Sequence, residues 1–210
     1  MEMLNKKAAM FGLDARIALA IFGALSVISG AALYSAIQQA NVERFNQYFV
    51  EMHKASDQYY LDNGKPLSQS DIDDVYGADI VLNRENLSTW NGPYVSATAA
   101  NAVSLEDSMT KSIDPAAYFR YGLYKKSTWP NTTAWQLCTS NDVDCVQWGR
   151  LFSGNTASGH NALAAIFTPL DEKIDGGDGG AAGKVRFTLI GGTGNSYTLM
   201  YMGMPRQNLQ

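Results

Sequence analysis

The sequence predicts an α+β protein: a long N-terminal helix with a transmembrane half and an amphipathic half, packed on an antiparallel sheet of about four strands. Three observations predict it. Ile17 to Ile37 is almost wholly apolar, and no charged residue stands between Arg16 and Glu43. From Tyr34 onward the apolar residues narrow to a stripe at helical spacing. After residue 116 the pattern changes to alternation, the period of half-buried strands.

The apolar run, as a helix rising 1.5 Å per residue, covers roughly 30 Å, the thickness of a bilayer's hydrocarbon core. It passes without proline into the stripe Ile37, Phe45, Tyr48, Phe49, Met52, Ala55 and Tyr59, with Asn41 as a weak position. Glu43, Arg44, Glu51, Lys54 and Asp57 occupy the other faces, and His53 beside the stripe reads as a surface histidine. Asp62-Asn63-Gly64-Lys65-Pro66 supplies a left-handed residue and then a proline, which ends the helix.

Residues 66–116 read as a connection. Ser70 to Val75 predicts a short capped helix, and Trp90-Asn91-Gly92-Pro93-Tyr94 a turn between aromatics. Ala117–Lys125 alternates Phe119, Tyr121 and Leu123 against Tyr118, Arg120 and Tyr124. Ala134–Cys138 and Cys145–Leu151 read as two strands, and Ala162–Leu170 as helix or strand. Val185–Ile190 and Ser196–Met202 alternate across Gly191–Asn195, the pattern of a hairpin.

The 210-residue chain leaves a head of ordinary single-domain size beyond the long helix. Its 46% hydrophobic and 17% charged residues are those of a folded protein. A net charge of −4 without a basic patch argues against a nucleic-acid partner. Cys138 and Cys145 are spaced for a short disulfide loop, which persists only in an oxidising compartment; two free thiols are the alternative. Lys6, Lys7 and Arg16 keep the N-terminal end cytoplasmic under the positive-inside rule, so the head is exported.

No metal, nucleotide or nucleophile motif is present, and the two histidines, His53 and His160, stand in unrelated contexts, so no catalytic residue is assigned and an enzyme is not expected. In Asp171–Gly180, carboxylates alternate with glycines. Asp171, Asp175 and Asp178 are candidate ligands for Ca²⁺, which takes carboxylate and carbonyl oxygens; a solvated flexible loop, with no cofactor, is the plainer reading.

The N-terminus reads as a signal peptide, a signal anchor or something more specific. A cleaved signal has a shorter apolar core than this one. The basic leader MEMLNKKAA and the segment after it resemble the start of type IV pilins and type II secretion pseudopilins. In that family a prepilin peptidase removes the leader, and an acidic residue stands fifth in the mature chain. A cut between Ala9 and Met10 places Asp14 fifth, with Ala20 and Gly23 where many members carry Ala and Gly. Ala9 replaces the family's usual Gly, Met10 its Phe and Asp14 its Glu. Trp90 to Tyr94 is similar to the W-x-G-P-Y segment of major pseudopilins, which also carry a Ca²⁺ site in a C-terminal loop.

The resemblance implies a leader (1–9), a transmembrane and assembly helix (10–62) and a pilin-like head (63–210). It implies N-methylation of Met10 and pairing of Asp14 with the Met10 amine of a neighbouring copy. It further implies a homo-oligomeric filament built by inner-membrane assembly machinery from lipid-held subunits. The expected location is a bacterial inner membrane with the head in the periplasm, then a surface pilus or fimbrium, or a periplasmic pseudopilus. A single-pass binding module that never polymerises is the alternative, and the bare structural role of Asp14 is to complement a helix N-terminus.

Overall fold

The structure, a computed structural model, describes residues 2–70, 74–125, 138, 145–154, 156–190 and 196–205. It divides into two compact units, Met1–Glu43 and Arg44–Gln210.

The first unit is helical throughout its described residues, as part of α1 (Glu2–Asn63). The apolar side chains from Ile17 to Ile37 are exposed on every face: Leu19, Phe22 and Val27 are 70%, 71% and 74% accessible. Ser26 inside this run donates to the Phe22 carbonyl at 2.8 Å, so its hydroxyl is satisfied within the helix. The helix from Asp14 is long and apolar enough to cross a membrane. Ile37 belongs to this exposed surface, although its spacing placed it on the stripe.

In the second unit, the rest of α1 packs on a sheet that has six strands among the described residues, in the order β1-β2-β3-β4-β6-β5, paired antiparallel throughout. Four strands are substantial: β3 (Tyr118–Lys125), β4 (Cys145–Phe152), β5 (Val185–Ile190) and β6 (Ser196–Pro205). The other two, β1 (Thr98–Ala99) and β2 (Leu105–Glu106), are two residues each, too short to show periodicity. The expected strand at 134–138 and the Gly191–Asn195 loop lie outside the described residues, Cys138 apart; β5 and β6 pair as expected, from Ile190 opposite Ser196.

The stripe does what its spacing predicts from Phe45 onward. Phe45, Tyr48, Phe49, Met52, Ala55 and Tyr59 are buried. Tyr48 meets Phe119 edge-on at 5.7 Å, Phe49 stacks on Tyr201 at 5.2 Å, and the Tyr121 hydroxyl donates to the Met52 carbonyl. His53 is buried with them, which corrects its reading as a surface residue. It fits because the sheet beneath it is glycine: a Cβ on Gly203 would lie 2.3 Å from His53 Cε1, and one on Gly149 3.1 Å from Nε2. The helix ends at Gly64, whose φ of +67° is the left-handed backbone that its place in the sequence predicts.

The connection, 66–116 in its described residues, is held against the sheet. Asp74 and Val75 form bridges with Gly122 and Gln69, so this end of the expected short helix is extended instead; 71–73 lie outside the described residues. Asp74 accepts from Arg150 at 2.6 Å and Arg120 at 2.8 Å, and a carboxylate answering buried guanidinium charge outweighs local helix propensity. A 3₁₀ turn at Gly77–Ile80 follows; Trp90 donates to the Asp79 carbonyl, and Tyr94 packs edge-on to Tyr59. α2 (Ser108–Ile113) is closed at its start by an Asp107–Thr110 capping box.

The apolar run at 162–170 is helix, inside α3 (Ala157–Asp175). Thr156 caps its start by accepting from the Gly159 amide at 3.0 Å, and Phe167 stacks on Phe187 of β5 at 5.1 Å.

Candidate functional site

Among the described residues two features carry chemistry, one in each unit. On the helix of the first unit, Asp14 and Arg16 are exposed and the apolar residues after them face outward all round. Ala9 and Met10 lie on the same helix. A surface this apolar has two stable environments, lipid or other apolar helices.

The second feature is the turn from α3 into β5. α3 ends at Asp175, and Gly176 follows with φ +74°. The chain then doubles back through Gly176–Gly183 to enter β5 at Val185. This reversal brings Asp171, Asp175 and Asp178 together, with one oxygen of each within 4.8 Å of the others. Helical spacing puts Asp171 and Asp175 on one face, and the glycine turn returns Asp178 to it.

Each carboxylate is oriented by the backbone. Asp171 is buried, 4% accessible; its Oδ2 accepts from the Gly179 amide at 3.0 Å, while its buried Oδ1 meets no hydrogen-bond donor among the described residues. Asp175 Oδ2 accepts from the amides of Lys184 at 2.8 Å and Val185 at 2.7 Å. Asp178 is exposed, and its carboxyl is held above the ordinary range by desolvation first, then by the charges of Asp175 and Asp171 and a side-chain hydrogen bond with Asp171, with Arg186 opposing. Gly183 is required here: its φ is +67°, and a Cβ would stand 2.5 Å from Asp175 Oδ2 and 2.9 Å from Asp178 Oδ1.

The cluster can hold a hard divalent cation such as Ca²⁺. The donor set is all oxygen, the buried Asp171 Oδ1 meets no donor among the described residues, and the glycine leaves open the space that any side chain would fill. Such a cation would neutralise the mutual repulsion of the carboxylates.

Arg186 was not legible as part of this site. In sequence it is one polar residue of an alternating strand. In the fold its Nε donates to the Gly183 carbonyl at 3.0 Å, and its guanidinium lies 4.8 Å from the Trp148 ring centroid. Gly183 and Arg186 are brought to the carboxylates only by the chain reversal.

The expected cysteine pair is present. Cys138 and Cys145 lie at disulfide distance, with Cα atoms 5.7 Å apart, and Cys145 opens β4. No family model, curated protein or solved structure matches the chain.

Proposed function

We propose that the chain is a single-pass membrane-anchored subunit that carries its helix-on-sheet head on the oxidising side of a bacterial inner membrane. The single observation that supports this is the helix surface from Ile17 to Ile37, exposed and apolar on all faces. Water is the wrong solvent for that surface, at roughly 25 cal/mol for each Å² of apolar area left wet. The disulfide-distance cysteines fit an exported head. In its simplest form the helix stays in lipid and the head binds a partner. That form asks nothing more of the chain than an anchor and a folded head.

The more specific form is a pilus-like or pseudopilus-like filament. A prepilin peptidase cuts after Ala9, and the apolar helices leave lipid to bundle with one another. Asp14 then pairs with the Met10 amine of the next copy. Supporting this form are the leader, the register of Asp14 and the aromatic segment Trp90–Tyr94. A charge in hydrocarbon is tolerated when an opposite charge meets it, which would make this pair a register device.

The N-terminal peptide of protein taken from membranes tests the two forms. N-methylated Met10 supports processing and assembly; an intact Met1 on the bulk of the protein overturns the filament form and leaves the anchor. With Met10 as the N-terminus, Asp14→Ala is expected to abolish filaments in sheared or periplasmic fractions while leaving membrane insertion intact. Undiminished filaments from Asp14→Ala would remove the register role.

A further inference from the structure

Among the described residues the strand order ends at β5, so one side of this strand has no sheet neighbour there. An uncovered edge is a template for unwanted pairing, and proteins cover such edges. Here the covering comes from the acidic turn. The Val185 amide donates to Asp175 Oδ2 at 2.7 Å, and the Phe187 amide donates to the Gly180 carbonyl at 3.1 Å. Gly180 approaches the strand so closely that a Cβ on it would lie 2.8 Å from the Phe187 carbonyl oxygen.

Asp175 therefore works on two sides. Its carboxylate accepts from the Lys184 amide and from the first amide of β5, Val185, and it supplies an oxygen to the cluster with Asp171 and Asp178. The segment that returns Asp178 to the other two carboxylates, Gly176–Gly183, is also the one that lies along β5. The carboxylates lie with one oxygen of each within 4.8 Å of the others, close enough to repel, and glycine-rich backbone resists opening weakly.

We propose that Gly176–Gly183 is a cation-closed strap over the β5 edge: a divalent cation held by Asp171, Asp175 and Asp178 locks it down, and loss of the cation exposes the edge. This rests on the cation-site reading of the cluster. The strap adds a consequence for the fold, in that cation occupancy sets the protection of particular backbone amides.

The test uses the full chain in detergent, with CaCl₂ or with a chelator. Calorimetry reads binding, and amide exchange reads the strap at Val185 and Phe187. Ca²⁺ is expected to bind and to slow exchange at both amides by roughly tenfold or more, a shift typical of closing a local opening. Exchange at Phe119 and Leu151, in the sheet interior, is expected to stay unchanged. Asp178→Asn, at an exposed position, is expected to lose the calcium effect while the chain stays folded. Binding heat with unchanged exchange at Val185 and Phe187 overturns the strap and leaves the cation site standing. Absence of binding heat overturns both.

Discussion

His53 Nε2 lies 3.2 Å from the carbonyl oxygen of Tyr201, beneath α1 and above β6, with glycine at 149 and 203 making room for the ring. Burial pushes the imidazole down to about 4, and the Tyr201 carbonyl offsets only part of that. The aromatic rings of Tyr121 and Tyr201 stand around it, at 6.2 and 6.0 Å between centroids. The helix therefore docks on the sheet through a neutral histidine.

Acid is expected to loosen this docking. The unfolded chain takes up a proton at His53 near pH 6.5, while the folded head takes it up only near 4. Stability from this residue is whole above pH 6.5 and is lost as pH falls towards 4, by about 3 kcal/mol in all. Urea unfolding at pH 7, 5.5 and 4 measures it. His53→Gln keeps an amide to bond the Tyr201 carbonyl and is expected to flatten that part of the profile; an unchanged slope would show that His53 is not the group responsible.

Asp79 has the opposite sign. It is 2% accessible, and burial, reinforced by Glu85 and opposed by Arg84 and Lys65, raises its carboxyl to about 6. Its folded form binds a proton more tightly than its unfolded form, so the ionised group costs stability above pH 6, and the cost disappears as pH falls to 4. Asp79→Asn is expected to stabilise the head at pH 7 by about 1–2 kcal/mol and to have no effect at pH 4. Thermal melts of both proteins across that range check it.

Asp74 answers two guanidinium groups, from Arg150 and Arg120. Its truncation leaves both without that carboxylate, and Arg150 is nearly inaccessible. Asp74→Ala is expected to cost about 3–5 kcal/mol, the usual penalty for breaking a buried pair from one side. Arg120→Ala is expected to cost less, because Arg120 is the more exposed partner. Denaturant midpoints at constant slope provide the comparison.

The stripe from Phe45 to Tyr59 and the alternation of Phe119, Tyr121 and Leu123 were legible because a helix or strand face repeats locally. The edge pairs β1 and β2 were not, since two residues cannot display a period. Asp74 was misread for a related reason. Its short-range context, acidic residues after a serine, is that of a helix start, whereas its partners lie 46 and 76 residues away. The acidic loop stands between these cases: its carboxylates could be picked out as ligands, but not the glycine and arginine that complete their surroundings.

The sequence by itself determined the long helix, its division into an all-round apolar half and a striped half, its stop at Gly64, and the α+β class. Each of these rests on neighbours within a few positions along the chain, where propensity and periodicity act. Only the tertiary structure decided that His53 is buried, that Asp74 is paired with Arg120 and Arg150, and that the acidic turn covers the β5 edge. These depend on which strands lie side by side and in what register, and register is set by packing across the whole sheet.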